Sequence, residues 1–347
     1  MIADLADAGL PATGGDRILT FREAIAEALR EELRRNPDLF ILGEDLIPQG
    51  GSFGVHLGLA EEFPDRIVQT PIAEAAIIGT AIGAAMAGGP VVAEIMFTDF
   101  ITCCMDEIAN QAAKLRYMSG GQADLPLVIR SPCGMGKGTG AQHTQSLEAW
   151  FAHIPGLLVA LPASPADAKG LLKSAIRGRD PVVFLEYKML YATKGPVPDD
   201  PDLLVPFGKA RIARAGQDLT IVATGQMVDK ALQAAERLAL SGIEAEVVDP
   251  RTVVPLDIDA ILASVAKTNL AIVCDEATVT CSVGSEIAAT ISDLAFYDLD
   301  GPVKRVCSPP VPKPFSPALE PLSVPQVDDV VAVALSLFRD AAGEERR

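Results

Sequence analysis

TPIAEAAIIGTAIGAAMAGGPVVAEIM, Thr70–Met96, is the stretch whose reading decides the fold. No residue from Ala75 to Ala93 is charged, a run long enough to raise the question of a membrane span. However, the run is built largely from Ala and Gly, and Gly88-Gly89-Pro90 breaks it in two. It therefore predicts a buried helix followed by a buried strand over Pro90–Met96. Thr70 suits an N-cap and Pro71 the first helical position, where proline loses no hydrogen bond. Gly79 and Gly83 lie four apart, a spacing that lets another backbone approach, in this chain or in a second one.

Outward from this unit the pattern repeats. Toward the N-terminus, Thr20–Arg34 has helical spacing (Phe21, Ile25, Ala28, Leu29), Leu39–Leu42 is a strand, and 48–63 is a glycine-rich loop. Toward the C-terminus, Asp99–Met118 predicts a helix and Leu125–Arg130 a strand. Helices near Leu147–Phe151 and Ala166–Ile176 then alternate with strands at Leu157–Leu161 and Val182–Leu185. Strands separated by helices indicate a parallel sheet covered on both faces. Between Thr193 and Phe207, Pro196, Pro198, Pro201 and Pro206 stand among aspartates, the composition of a linker. Beyond it the alternation restarts. Strands are predicted at Leu219–Ala223, Ile243–Val248, Leu270–Cys274 and Val303–Cys307. Helices are predicted at Val228–Leu240, Ile258–Val265, Gly284–Leu294 and Val327–Phe338. The expectation is two open, doubly wound α/β domains, residues 16–195 and 207–340, joined by a linker at 196–206.

The chain has 347 residues, enough for two domains, and 29 basic against 46 acidic residues leave a net charge of −17. That charge argues against nucleic-acid binding and suits a basic protein partner. Six cysteines without a CxxC pair read as reduced thiols, which favours a cytoplasmic location. With three histidines in all, a multi-histidine zinc site is not expected, and no metal ligands are assigned. The first residues, MIADLADAGLPATGGD, lack the basic-then-apolar pattern of a signal peptide.

Two residues stand out for chemistry. Glu74 falls in the first helical turn among Ile72, Ala73, Ala75, Ala76 and Ile77. It could simply complement the helix dipole, but a carboxyl in apolar surroundings is costly unless it is hydrogen-bonded or shares a proton. The run Gly134–Gly140 does not fit a Walker A loop, and its glycines allow a tight turn that delivers Gln142-His143 to a site. His143, flanked by amides after a parallel strand, is placed for acid–base work, although a lone histidine is commonly structural. His56 and His153 default to surface or packing roles. No GxSxG or HExxH motif supports a hydrolase.

Several runs occur together and in order: GEDL (Gly43–Leu46), Thr70–Gly88, AAKLRYMSGGQ (Ala112–Gln122), AQHTQSLEAWFAHIPGL (Ala141–Leu157), DAKGLLKSAI (Asp167–Ile176) and DPVVFLE (Asp180–Glu186). They resemble the β subunit of the thiamin-diphosphate-dependent first component of 2-oxo acid dehydrogenase complexes. The resemblance covers roughly Ile18 to Phe338. VVDPRT (Val247–Thr252), CSVGSEIAA (Cys281–Ala289) and KPFSPALE (Lys313–Glu320) lean toward the pyruvate and acetoin branches.

The resemblance implies a transketolase-like pyrimidine-binding domain followed by a smaller transketolase C-terminal-like domain. It implies thiamin diphosphate shared with an α subunit, which holds the diphosphate and its magnesium through a GDG motif that this chain lacks. It further implies an α2β2 heterotetramer that cleaves a 2-oxo acid or acetoin and passes the acyl group to lipoyl on a dihydrolipoyl acyltransferase. By position, Glu74 matches the carboxyl that hydrogen-bonds N1′ of the aminopyrimidine. Phe100 matches the ring that stacks on the pyrimidine, and Ile72 and Glu44 match residues lining that pocket. His143 matches a histidine that faces the substrate, either assisting acyl transfer or only positioning the intermediate. Relatives also bind potassium through carbonyls near Leu127, Ala175, Ile176 and Asp180, where Gly178 replaces an Asp that some of them carry. Met96 replaces a polar Gln of some relatives, and the Ser131–Gly140 loop varies among them. A branched-chain 2-oxo acid substrate, a self-sufficient transketolase-like enzyme and a non-catalytic assembly subunit are the rival readings.

Overall fold

The computed structural model describes residues 17–47 and 50–341, so the reading of the first sixteen residues lies outside it. Among the described residues the strands, in chain order, begin with β1 (Arg17–Thr20), β2 (Phe40–Gly43), β3 (Ile67–Gln69), β4 (Val91–Glu94), β5 (Leu127–Cys133), β6 (Leu158–Ala160) and β7 (Val182–Tyr187). They continue with β8 (Lys194–Val197), β9 (Arg211–Arg214), β10 (Leu219–Ala223), β11 (Ala245–Asp249), β12 (Thr252–Val254), β13 (Ala271–Thr278) and β14 (Lys304–Ser308).

A seven-stranded sheet has the order β12-β6-β7-β5-β4-β2-β3, parallel except at β12. A five-stranded sheet has the order β14-β13-β10-β11-β9, with β9 antiparallel at its edge. Strands β4, β5 and β7 are buried along their whole length, as expected where helices cover both faces. In the second sheet alternate residues feed different cores. Val222, Val248 and Val273 join the apolar cluster continuous with the first sheet, whereas Ile221, Val247 and Ile272 face the opposite side. The two α/β units thus share one packed interface. This is the two-unit, doubly wound α/β architecture that the alternation of strands and helices predicts.

Local chemistry explains the helix starts. Thr20 caps the Phe21–Arg35 helix in a reciprocal box, its hydroxyl accepting from the Glu23 amide at 3.1 Å while Glu23 accepts from the Thr20 amide at 2.7 Å. Ser164 caps Pro165–Ile176, with proline at the first position.

The structure corrects four expectations. The helix expected at Thr70-Pro71 begins at Glu74, capped by Ala73 without a side-chain bond. Thr70 instead donates its amide to Gly43 at 2.9 Å, prolonging the β2–β3 ladder, so it is not free to start a helix. Nor is the Glu74–Met86 helix buried all round: Ala75, Ala76, Gly79, Thr80, Gly83 and Met86 are exposed. A Cβ added at Gly79 or Gly83 would meet nothing within 4 Å, so no neighbour in this chain uses the spacing. The helix expected over Asp99–Met118 is four short pieces, Thr98–Ile101, the 3₁₀ turn Thr102–Cys104, the π-helical Glu107–Ala112 and Ala113–Met118. Finally, β12 comes from beyond the proline-rich segment yet pairs with β6 of the first sheet, and Pro196 and Val197 pair with Ile18 and Arg17 in the β1–β8 ribbon.

Candidate active site

Parallel strands β3, β2, β4 and β5 are consecutive neighbours, and each candidate residue follows the C-terminal end of one of them. Glu44 follows β2, Ile72 and Glu74 follow β3, Phe97 and Phe100 follow β4, and His143 follows β5. The carboxyl edge of a parallel sheet is where ligands bind in such folds, because loops diverge there and leave a crevice.

Glu44 is 5 % exposed, and its Oε2 has no hydrogen-bond partner. Burial, followed by the charge of Glu74, raises its carboxyl above the usual range. Glu74 begins its helix half-buried. Its predicted enclosure by apolar neighbours is not met within the single chain, because the adjacent Ala75 and Ala76 are open and Ile72 is 74 % exposed. A second chain on this face would have to complete the desolvation. Burial, then the charges of Glu107 and Glu74, push the nearby Cys104 thiol up to about 12, which makes it a poor nucleophile.

His143 sits in an aromatic corner. Its ring lies edge-to-face with Phe97 at 4.8 Å and with Phe100 at 5.2 Å, and the two phenylalanines meet at 5.8 Å. Lys188 donates to the His143 carbonyl at 2.6 Å and stands 5.4 Å from the Phe97 centroid. Asp99 ties the Phe100 turn to the histidine loop, accepting from the Gln145 amide at 3.2 Å and its side chain at 2.9 Å. The loop starts at Gly134, φ +71°, where a Cβ would lie 2.5 Å from the Tyr187 ring and 2.6 Å from Glu276 Oε1. Only glycine fits there.

Beneath this rim lies a buried ionic network that the sequence reading missed. Arg130 donates to Glu186 through Nε at 2.7 Å and Nη2 at 2.9 Å, and to Glu94 through Nη1 at 2.8 Å. His56 Nε2 lies 2.5 Å from Glu94 Oε2, and Tyr191 donates to Glu186 at 2.8 Å. Arg130 is 1 % exposed, and the other charged members are buried too. The available signal was one charge near the end of each of three apolar strands, VVAE, LVIRSPC and VVFLEY. His56, assigned by default to surface or packing, is a buried partner in this network, whereas His153 is exposed. Lys188 and Phe97 were also not singled out.

These groups fit the pyrimidine half of thiamin diphosphate. A buried carboxyl oxygen lacks a partner, a second carboxyl heads a helix, and an aromatic corner follows the neighbouring strand β4. Among the described residues, no cluster of three or more His, Cys, Asp or Glu is arranged to hold a metal. No described helix is long and apolar enough to cross a membrane.

Comparison with known proteins identifies the fold and the family. Residues 18–194 match the transketolase pyrimidine-binding domain and residues 208–330 the transketolase C-terminal domain. The fold and its rim therefore define a transketolase-like chain of a thiamin-diphosphate-dependent system. The chain is 46 % identical over 328 residues to the acetoin:2,6-dichlorophenolindophenol oxidoreductase subunit beta of Cupriavidus necator, covering 92 % of this chain and 97 % of that one. It is 44 % identical over 336 residues to the mitochondrial pyruvate dehydrogenase E1 component subunit beta-2 of Oryza sativa, covering 96 % and 89 %. It is also 44 % identical over 323 residues to the 2-oxoisovalerate dehydrogenase subunit beta of Bacillus subtilis, covering 92 % and 98 %. A solved "split gene transketolase, inactive beta4 tetramer" superposes with a TM-score of 0.76 at 28 % identity, over 94 % of this chain and 99 % of that one. This chain belongs to the family of dehydrogenase E1 β subunits, a family of oxidoreductase subunits that work within multi-chain enzymes.

Proposed function

We propose that this chain is the catalytic β subunit of an acetoin or pyruvate dehydrogenase first component. In this reading it pairs with an α subunit as α2β2 and passes the acyl group to lipoyl on a dihydrolipoyl acyltransferase. The observation that carries the reading is the convergence of Glu44, Glu74, Phe100 and His143 on neighbouring strand ends, with one buried carboxyl oxygen of Glu44 unpartnered.

Thiamin diphosphate, when bound, supplies a nucleophilic carbon that cleaves the bond beside the substrate carbonyl. Glu74 hydrogen-bonds N1′ of the aminopyrimidine and holds a proton there. Glu44, whose carboxyl is raised by burial and by the charge of Glu74, would line the same pocket. Phe100 would stack on the pyrimidine and Ile72 would contact the ring or its amino group. His143, held by its ring contacts and by Lys188, presents its imidazole to the substrate and assists acyl transfer. The α subunit holds the diphosphate and magnesium, since this chain has no GDG run. That the related split-gene transketolase β4 tetramer is inactive supports a need for a second kind of chain.

Dye-linked turnover by the co-purified αβ enzyme, with thiamin diphosphate and magnesium, tests the reading. Acetoin turnover with acetaldehyde release assigns the acetoin branch, and pyruvate turnover with carbon dioxide release assigns the pyruvate branch. The likeness to the 2-oxoisovalerate relative makes that compound the third substrate to offer. Absence of turnover with all three by the assembled, cofactor-loaded enzyme would overturn the reading.

A further inference from the structure

The loop from Gly134 to Gln145 is closed at its neck by the Gly134 amide, which donates to the Gln145 carbonyl at 2.9 Å. Its span is that of an Ω-loop, whose ends meet and whose body must be held by other contacts. Two carboxylates from the C-terminal unit reach across to it. Glu276 Oε1 accepts from the Met135 amide at 2.5 Å and lies 3.4 Å from the Ser146 hydroxyl, so one oxygen grips both feet of the loop. Glu320 Oε1 accepts from the Gly138 amide at 2.6 Å, at the middle of the rising limb. Glu320 is 7 % exposed, so this bond is shielded from water.

The rising limb needs such a hold. A cavity of about 330 Å³ lies between it and the C-terminal unit, lined by Met135, Gly136 and Lys137 on one side and by Gln226, Lys230 and Glu320 on the other. Side-chain packing therefore does not fix the limb on that face. Gly138 and Gly140 both have positive φ, at +67° and +71°, and neither carries a side chain that could fix the backbone at the point where Glu320 holds it.

The geometry points to Glu320 as a positioning residue for His143, acting through the Gly138 amide from the other α/β unit. The C-terminal unit is then a brace for the substrate-facing loop as well as a packing partner. This assignment rests on the reading of His143 as the substrate-facing histidine. Glu320 acts through the loop, on the population of conformers that place the imidazole correctly.

The test uses the assembled αβ enzyme with Glu320→Ala, Glu320→Gln, His143→Ala and the Glu320→Ala/His143→Ala double variant, each checked for assembly by size exclusion. Glu320→Ala should lower kcat about 10- to 100-fold, the scale of a small misplacement of a reacting group, with a much smaller change in KM. Glu320→Gln should recover most of that loss, because its amide oxygen can still accept from Gly138. In the His143→Ala background, Glu320→Ala should cost nothing further. Hydrogen exchange at 134–145 should be faster in Glu320→Ala while the sheets are unchanged. Wild-type kcat in Glu320→Ala, an equal loss in the His143→Ala background, or unchanged exchange in the loop would overturn the assignment. Full activity in the His143→Ala single variant would instead remove the role of His143, and with it this proposal, and that variant alone identifies such a failure.

Discussion

Lys188 donates its ammonium to the carbonyl oxygen of His143 at 2.6 Å while standing 5.4 Å from the centroid of Phe97, one of the two rings against which His143 rests. The same buried cation therefore holds the backbone of the histidine and faces the aromatic wall beside it. Burial disfavours its charge and lowers its proton affinity, and the carbonyl and ring face offset part of that cost.

Replacing Lys188 by Met would leave the His143 carbonyl without this donor. The expected destabilisation is about 1–3 kcal/mol, read as a lower denaturation midpoint, together with reduced turnover by the assembled enzyme. An unchanged midpoint with unchanged turnover would show that the contact constrains nothing.

Glu74→Gln keeps the shape of the side chain but removes its capacity to exchange a proton. Turnover should fall by about 100-fold or more, with the melting temperature of the β chain close to wild type, since Glu74 is only half-buried at the start of its helix. Full activity in this variant would end its assignment as the proton-sharing carboxyl.

Glu94 gives a pH-dependent prediction. Burial alone would raise its carboxyl, but the charge and hydrogen-bond contacts of His56 and Arg130 overcome that and lower it from 4.5 to about 2. A folded-state value below the unfolded one means stability that is present above pH 4.5 and lost as pH falls toward about 2. The displacement corresponds to about 3 kcal/mol. Chemical denaturation of wild type and Glu94→Gln should show a gap of this order at neutral pH that closes through that acid window. A gap independent of pH would refute the electrostatic account.

Two glycine replacements should separate folding from assembly. A Cβ at Gly156, φ +107°, would lie 1.9 Å from the Ala113 carbonyl oxygen, so Gly156→Ala should lower the stability of the isolated chain. A Cβ at Gly83 meets open space, so Gly83→Leu should fold at least as stably as wild type, given the poor helix propensity of glycine. If the exposed face of Glu74–Met86 packs against a second chain, the same variant should fail to assemble, as read by sedimentation. Normal assembly of Gly83→Leu would place the subunit contact elsewhere.

Much of the frame was legible along the chain because it depends on local chemistry. The charge-free run from Ala75 to Ala93 with its Gly-Gly-Pro break and the helical spacing of Thr20–Arg34 both act within a few residues. Glu74 and His143 were legible for the same reason, as chemical oddities in their immediate surroundings. Short edge elements were not: β3, β9 and β12 are three or four residues each, too brief for a period to show.

The sequence by itself determined the alternation of strands and helices, the two α/β units and the residue types able to do proton chemistry, since periodicity and composition are local properties. Only the tertiary structure decided that the ends of β3, β2, β4 and β5 stand side by side, that the outer face of Glu74–Met86 is open, and that Glu276 and Glu320 reach the histidine loop from more than a hundred residues away. Those relationships arise from strand order and from which unpaired polar groups burial forces together. Neither is encoded in the spacing of residues along one segment.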